Sequence, residues 1–152
     1  MGRLSEAPPP PDLPISVGAP FGVGTLKLLD GRTRQVVTGS RRATLLVIWA
    51  TWCQYCKAEI PKLKEFYENQ PPDGIELVAV NTGESPQRIR AFLGENDLPY
   101  LVAVDTEQKI MTRLKGKALP AMLLVDDRGI VRYVGNHLPK DSLELERALR
   151  TD

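Results

Sequence analysis

The chain is poor in the residues that hold metals and cofactors. It has two cysteines and one histidine in 152 residues. A structural zinc site takes about four ligands, and Cys53, Cys56 and His137 cannot supply them. A c-type haem site places histidine directly after the second cysteine, and Lys57 stands there. Charge of one sign is also lacking: the formal net charge is +1. No basic run exceeds Arg41-Arg42, so nothing points to nucleic acid. No apolar stretch reaches the ~18 residues that a membrane-spanning helix requires. The first twelve residues lack the apolar core of a secretory signal.

What is present converges on one stretch, Leu45 to Pro61. Leu45–Trp49 is short, apolar and rich in branched residues, as in a buried parallel strand. The pattern breaks at Ala50-Thr51-Trp52 and resumes with helical spacing, so Cys53 falls where a helix begins. A helix N-terminus carries unpaired N–H groups and partial positive charge, which favour a thiolate over a thiol. Cys56 lies one turn on, on the same face. One cysteine can ionise while the other waits within bonding reach, the arrangement of thiol–disulfide exchange. A purely structural disulfide is the plainer alternative.

Trp52-Cys53-Gln54-Tyr55-Cys56-Lys57 after an apolar strand resembles the active site of the thioredoxin superfamily. Ala50-Thr51-Trp52-Cys53 and the Glu59 and Pro61 that follow Cys56 are closer to its TlpA/ResA/DsbE-like branch. The similarity runs from about Val17 to Leu149. One departure is Gln54-Tyr55 between the cysteines, where the branch often has proline; that dipeptide tunes redox potential and partner fit. The resemblance implies a thiol-disulfide oxidoreductase with a thioredoxin-like α/β fold. In that fold a central mixed β-sheet is flanked by helices on both faces, with an N-terminal β-hairpin and an αβ insertion. It needs no cofactor beyond the redox-active Cys53–Cys56 disulfide.

Along the chain, residues 1–16 read as a flexible proline-rich lead-in or tether, with four prolines from Pro8 to Pro11. Residues 17–152 form the thioredoxin-like domain. Leu26–Leu29 and Thr33–Val37 around Asp30-Gly31 have the pattern of a hairpin. Cys53 to about Asn69 reads as a helix with Ile60, Leu63, Phe66 and Tyr67 as its apolar stripe and Pro61 kinking it. Ile75–Val80 is a second buried strand. Ser85 caps a helix to about Asn96, with Pro86 at its first position. Pro99–Val104 is a third strand and Thr106–Leu114 a short helix. Ala121–Asp126 and Ile130–Val134 form a second hairpin around Asp127-Arg128-Gly129. Asp141 or Ser142 caps a last helix to about Arg150, with Leu143, Leu145 and Leu149 as its apolar positions.

By position Cys53 is the nucleophile, nearest the helix end and solvent, and Cys56 is the more buried resolving thiol. Glu59, three residues beyond Cys56, shares its face. An ordinary helix glutamate would pair with Lys62. The resemblance implies instead a buried acid/base able to trade protons with Cys56. For Leu119-Pro120 the resemblance implies a cis bond facing the cysteines, leaving the Leu119 backbone free for an extended partner segment. Trp52, Gln54, Tyr55 and Leu119 are the expected substrate-binding residues. Trp49 reads as core, Lys57 as a solvated or field-supplying lysine, and His137 as uninvolved.

The expected partners are protein thiols and disulfides, with an upstream electron donor such as a membrane thiol-reductant conduit, acting on a monomer. The proline lead-in and the resemblance favour a periplasmic or otherwise extracytoplasmic protein, tethered or free, its export signal removed. A cytoplasmic protein is the alternative. The direction expected is reduction of exported proteins, in cytochrome c maturation or on copper-protein thiols. A Sco-like copper chaperone would need C-x-x-x-C and a histidine before Pro120, where Ala118-Leu119 stands. A peroxidase would need a single activated cysteine in a Pro/Thr-rich loop. A thioredoxin-fold binding module with idle cysteines is the remaining alternative.

Overall fold

The computed structural model describes residues 13–115, 118–141 and 143–150. The proline run of the expected lead-in and the candidate cap Ser142 lie outside them. Seven strands form one sheet in the order β2-β1-β5-β4-β3-β6-β7. The strands are β1 (Thr25–Leu28), β2 (Thr33–Gln35), β3 (Ala43–Trp49), β4 (Ile75–Thr82), β5 (Leu101–Asp105), β6 (Ala121–Asp126) and β7 (Val131–Gly135). The helices are α1 (Gln54–Glu68), α2 (Pro86–Leu93), α3 (Lys109–Arg113) and α4 (Leu143–Arg150).

The sheet is mixed. β3 runs parallel to β4, and β4 parallel to β5, while β6 lies antiparallel to β3. Each residue of β3 and β4 is buried, as expected for strands covered on both faces. Alternate β3 side chains point to opposite faces. Leu45, Val47 and Trp49 pack with Leu63 and Phe66 of α1, Ile89 of α2 and Leu145 of α4. Leu46 and Ile48 pack with Phe21, Leu26, Ile110 of α3 and Leu114. Helices therefore cover both faces unequally: three lie on one, while α3 shares the other with Phe21 and with Leu26 and Leu28 of β1. The expected αβ insertion is α2 and β5, and β5 enters the sheet between the hairpin and β4.

Register decides where chemistry can assemble. Trp49 pairs with Asn81, so β3 and β4 end together. Ile48 pairs with Ala121, so β6 starts at that same end. The turn into α1, the loop after β4 and the loop before β6 thus share one edge of the sheet. This edge lies beyond the carboxyl ends of parallel strands, where α/β folds place their sites.

Several expected boundaries and faces differ. α2 ends at Leu93 and α3 spans only Lys109–Arg113. Gln108 before α3 takes a left-handed φ of 59°, and both Asp105 carboxylate oxygens accept the N–H groups of Lys109 and Ile110. The buried face of α1 is Cys56, Glu59, Leu63 and Phe66. Ile60 is only half-buried and Tyr67 is exposed, with its ring edge against Tyr100. The stripe is rotated because α1 turns Cys56 and Glu59 towards the sheet. In α4, Leu145 is fully buried while Leu143 is exposed, and Asp141 Oδ1 accepts the Leu143 N–H at 3.0 Å.

Candidate active site

Cys53 is the N-cap of α1, with extended backbone at φ −89° and ψ 110°. Its Sγ accepts a hydrogen bond from the Cys56 N–H at 3.1 Å, so sulfur serves where a cap oxygen usually would. The Cys53 N–H in turn bonds to the Ala50 carbonyl at 3.2 Å. A disulfide joins Cys53 and Cys56, whose Cα atoms are 5.3 Å apart, within the ordinary range for such a bond.

The expected contrast in burial between the cysteines is absent: Cys53 is 4% exposed and Cys56 5%. Both cysteines belong to the buried cluster between α1 and the sheet, so helix position alone does not expose the leading sulfur. What separates the two is the space each residue lines. Cys53 borders an open depression with Trp52, Gln54, Tyr55, Thr82, Gln108 and Leu119. Cys56 borders a small apolar cavity of ≈ 20 Å³ among Val47, Trp49, Phe92 and Tyr100.

Of the residues expected around the pair, Trp52, Gln54, Tyr55 and Leu119 line the depression with Cys53. Trp52 is 64% and Tyr55 77% exposed, so two large aromatic side chains face solvent beside the disulfide. Leu119 is half-buried and Pro120 buried, and the bond between them is cis. Asn136 Nδ2 donates to the carbonyls of Ala118 at 2.8 Å and Pro120 at 3.1 Å, bracing that loop from the end of β7. Glu59 is 7% exposed. Its Oε1 accepts the Leu138 N–H at 3.1 Å and its Oε2 meets Lys62 Nζ at 3.3 Å. Both readings of Glu59 are therefore met in part: it pairs with Lys62, yet it is buried on the Cys56 face.

Other readings have plain structural outcomes. Trp49 is core, its ring 5.2 Å from that of Phe92. Lys57 Nζ lies 5.9 Å over the Phe92 ring. His137 is exposed, and its carbonyl accepts the Tyr133 hydroxyl. Among the described residues no cluster of His, Cys, Asp and Glu could hold a metal, and no helix is long and apolar enough to cross a membrane.

Sequence reasoning missed the wall opposite Trp52 and Tyr55. Thr82, Gly83, Gln108 and Met111 line the same depression. Gly83 has φ +80°, and a Cβ there would sit 2.9 Å from Gln108 Nε2, so glycine allows both the turn and the close approach. The available signal was the segment Asn81–Ser85 immediately after a buried parallel strand, where sites form. Glu84 within it was also missed. It is buried and accepts the Thr51 N–H at 2.8 Å and the Thr51 hydroxyl at 2.6 Å.

The model of the AhpC/TSA family matches residues 17–134. The thiol-disulfide oxidoreductase ResA of Geobacillus thermodenitrificans is 27% identical over 120 residues, covering 79% of this chain and 69% of that protein. StoA from Bacillus subtilis superposes with a TM-score of 0.66 at 24% identity, covering 82% of this chain and 93% of its own. A secreted Mycobacterium tuberculosis disulfide oxidoreductase homologous to E. coli DsbE gives a TM-score of 0.62 at 21% identity, over 83% and 93% of the two chains. The structural likenesses establish a thioredoxin-like fold.

Proposed function

Since the chain belongs to the AhpC/TSA family of the thioredoxin superfamily, we propose that it is a thiol–disulfide oxidoreductase of the ResA, StoA and DsbE type. The observation that carries this is the Cys53–Cys56 disulfide at the N-terminus of α1, with Cys53 among the residues lining an open depression. The 27% identity to a protein named thiol-disulfide oxidoreductase ResA supports it.

In the reduced state the Cys53 thiolate attacks one sulfur of a partner disulfide and expels the other as a thiolate. The Cys56 thiolate then attacks Cys53 Sγ, closing the internal disulfide and releasing the second partner sulfur. Two electrons pass to the partner, which leaves as a dithiol once its thiolates take up protons. Glu59 is the group on the Cys56 face that exchanges a proton as this bond opens and closes. Trp52, Gln54, Tyr55 and Leu119 receive the partner, whose extended backbone lies against Leu119 and Pro120. The depression beside Cys53 and the small apolar cavity beside Cys56 support entry at Cys53.

The finer reading is reduction of extracytoplasmic partners, either apocytochrome c or copper-protein thiols, with electrons supplied by a membrane thiol-reductant conduit. The ResA-like sequence supports it, as does the proline-rich stretch before the domain, which reads as a tether to a membrane or a spacer. Residues 17–152 form the working unit in this reading.

Equilibrating the protein across a glutathione redox series and trapping its thiols tests the activity. A single reversible two-electron midpoint, lost in Cys53→Ser and Cys56→Ser, is expected. Absence of a midpoint would leave a thioredoxin-fold binding module. Offering the reduced protein an apocytochrome-type C-x-x-C-H peptide or a copper-site peptide, each in its disulfide form, then distinguishes the two substrate classes.

A further inference from the structure

Glu84 is the most fully engaged charged side chain near the cysteines, and nothing in the exchange chemistry so far uses it. Its Oε1 accepts the Thr51 N–H and Asn81 Nδ2, both at 2.8 Å. Its Oε2 accepts the Thr51 hydroxyl at 2.6 Å and Arg88 Nε at 3.0 Å. A carboxylate offers about four acceptor sites, and four donors meet this one. Two of the donors belong to Thr51, in the loop that hands β3 to α1. The others come from the end of β4 and from α2.

We propose that Glu84 is a positioning residue for the Cys53–Cys56 centre: its carboxylate clamps the Ala50–Trp52 loop and so holds Cys53 Sγ in register with the Cys56 N–H. The inference rests on the reading of Cys53 as the attacking sulfur.

Three observations carry it. Thr51 stands two residues before Cys53, and the Cys53 N–H bonds back to Ala50, so the clamped loop leads directly into the cap. The junction that Glu84 occupies is tied by other groups: Ser85 Oγ caps Arg88 N–H, Thr106 Oγ1 bonds to the Glu84 carbonyl, and Gly83 N–H bonds to Asp105. The two bonds from the Glu84 side chain to Thr51 therefore serve the loop ahead of Cys53. Finally, Arg88 lies against the same carboxylate, so the pair acts on the thiolate as a dipole rather than as a bare negative charge.

Burial pushes the Glu84 carboxyl up, but the hydrogen bonds from Thr51, Asn81 and Arg88 together outweigh it and hold the group below its ordinary range. The clamp is thus ionised and closed throughout the range in which thiols exchange. The other charged groups flanking the pair on α1 are engaged elsewhere. Lys57 lies over Phe92, and Glu59 takes Leu138 N–H and Lys62.

The consequence has a sign. A loosened loop lets Cys53 drift from the N–H groups of α1, and a thiolate loses stabilisation when those donors are misaligned. In reduced full-length protein, the rate of Cys53 alkylation by iodoacetamide is measured from pH 5 to 9, with labelling mapped by mass. The glutathione midpoint and melting temperature are measured alongside. In Glu84→Gln the rate profile moves to higher pH, and alkylation at pH 7 slows by about threefold to tenfold. Thr51→Val, which removes only the hydroxyl donor, moves the profile the same way by less. An unmoved profile with a lowered melting temperature overturns the proposal and leaves a brace for the fold alone. A profile displaced to lower pH also overturns it, because Glu84 would then act simply as a charge opposing the thiolate. Should Glu84→Gln fail to fold, the profile of Thr51→Val decides by the same criteria. Failure of the wild type to cycle with glutathione would sink the oxidoreductase reading, while the alkylation profiles still judge the clamp.

Discussion

Glu59 Oε1 accepts the backbone N–H of Leu138 at 3.1 Å, across 79 positions of sequence. The bond ties the second turn of α1, one turn beyond Cys56, to the segment that leaves β7. The same β7 end supplies Asn136, which holds the carbonyls on either side of Leu119. A single stretch after β7 thus braces both halves of the site. Glu59 keeps its carboxylate buried while its other oxygen reaches Lys62, whose side chain is largely exposed.

Glu59→Gln should separate chemistry from folding. Glutamine can still accept the Leu138 N–H, and the lost pair with a solvated lysine contributes little to stability. Thiol–disulfide exchange with a protein substrate should fall on the order of 10²-fold, the usual contribution of a placed acid/base. Stopped-flow exchange beside a thermal melt reads both. An unchanged rate would return Glu59 to a structural role.

The two cysteines should fail differently. Cys56→Ser should accumulate a mixed disulfide between Cys53 and its partner, because no second thiol remains to resolve it. Cys53→Ser should form none. Non-reducing gels with mass mapping of the adduct make the measurement, and an adduct on Cys56 would reverse the assigned order.

Trp52 contacts solvent, so removing it should leave the fold within about 0.5 kcal/mol of the wild type. Trp52→Ala should nevertheless lower kcat/KM for a protein disulfide several-fold while leaving the glutathione midpoint in place. The paired measurement distinguishes loss of a docking surface from altered sulfur chemistry.

Leu145 is the fully buried anchor of α4 against the β3 face. Leu145→Ala should cost about 2–5 kcal/mol, from lost transfer energy and the cavity left behind. Urea unfolding measures it, with the exchange rate of the folded fraction unchanged.

Asp126 should give stability a pH dependence of known sign. Burial pushes its carboxyl up, but hydrogen bonds from Arg132 and from the Ile130 and Arg128 N–H groups outweigh that and hold it below its ordinary value near 3.8. A group depressed in the folded state stabilises above its unfolded pKa, and that stability is lost as pH falls through the folded value. The melting-temperature gap between wild type and Asp126→Asn should therefore be full at pH 6 and close below about pH 4. A gap independent of pH would refute it.

The centre of the fold was legible because its signals are local. The apolar run before Cys53, the Asp30-Gly31 turn and the Ser85-Pro86 cap each state their element within a few residues. Helix limits were less legible: the left-handed Gln108 and the Asp105 cap that shorten α3 depend on how β5 delivers the chain. The α1 stripe was misjudged at Tyr67 because hydrophobicity ranks a tyrosine above a glutamate. Burial of Glu59 rests on a backbone N–H from the far end of the chain.

By itself, the sequence determined that two cysteines one helical turn apart would stand at the start of α1 after a buried strand, because spacing and periodicity are properties of contiguous residues. Only tertiary structure decided what surrounds them. Pairing of Trp49 with Asn81, of Ile48 with Ala121 and of Thr82 with Asp105 draws Glu84, Gln108, Leu119 and Pro120 to one end of the sheet. It also buries both sulfurs equally and leaves open space on the Cys53 side. Those outcomes depend on strand register, which no single segment encodes: each strand's neighbour is chosen by packing across the whole sheet.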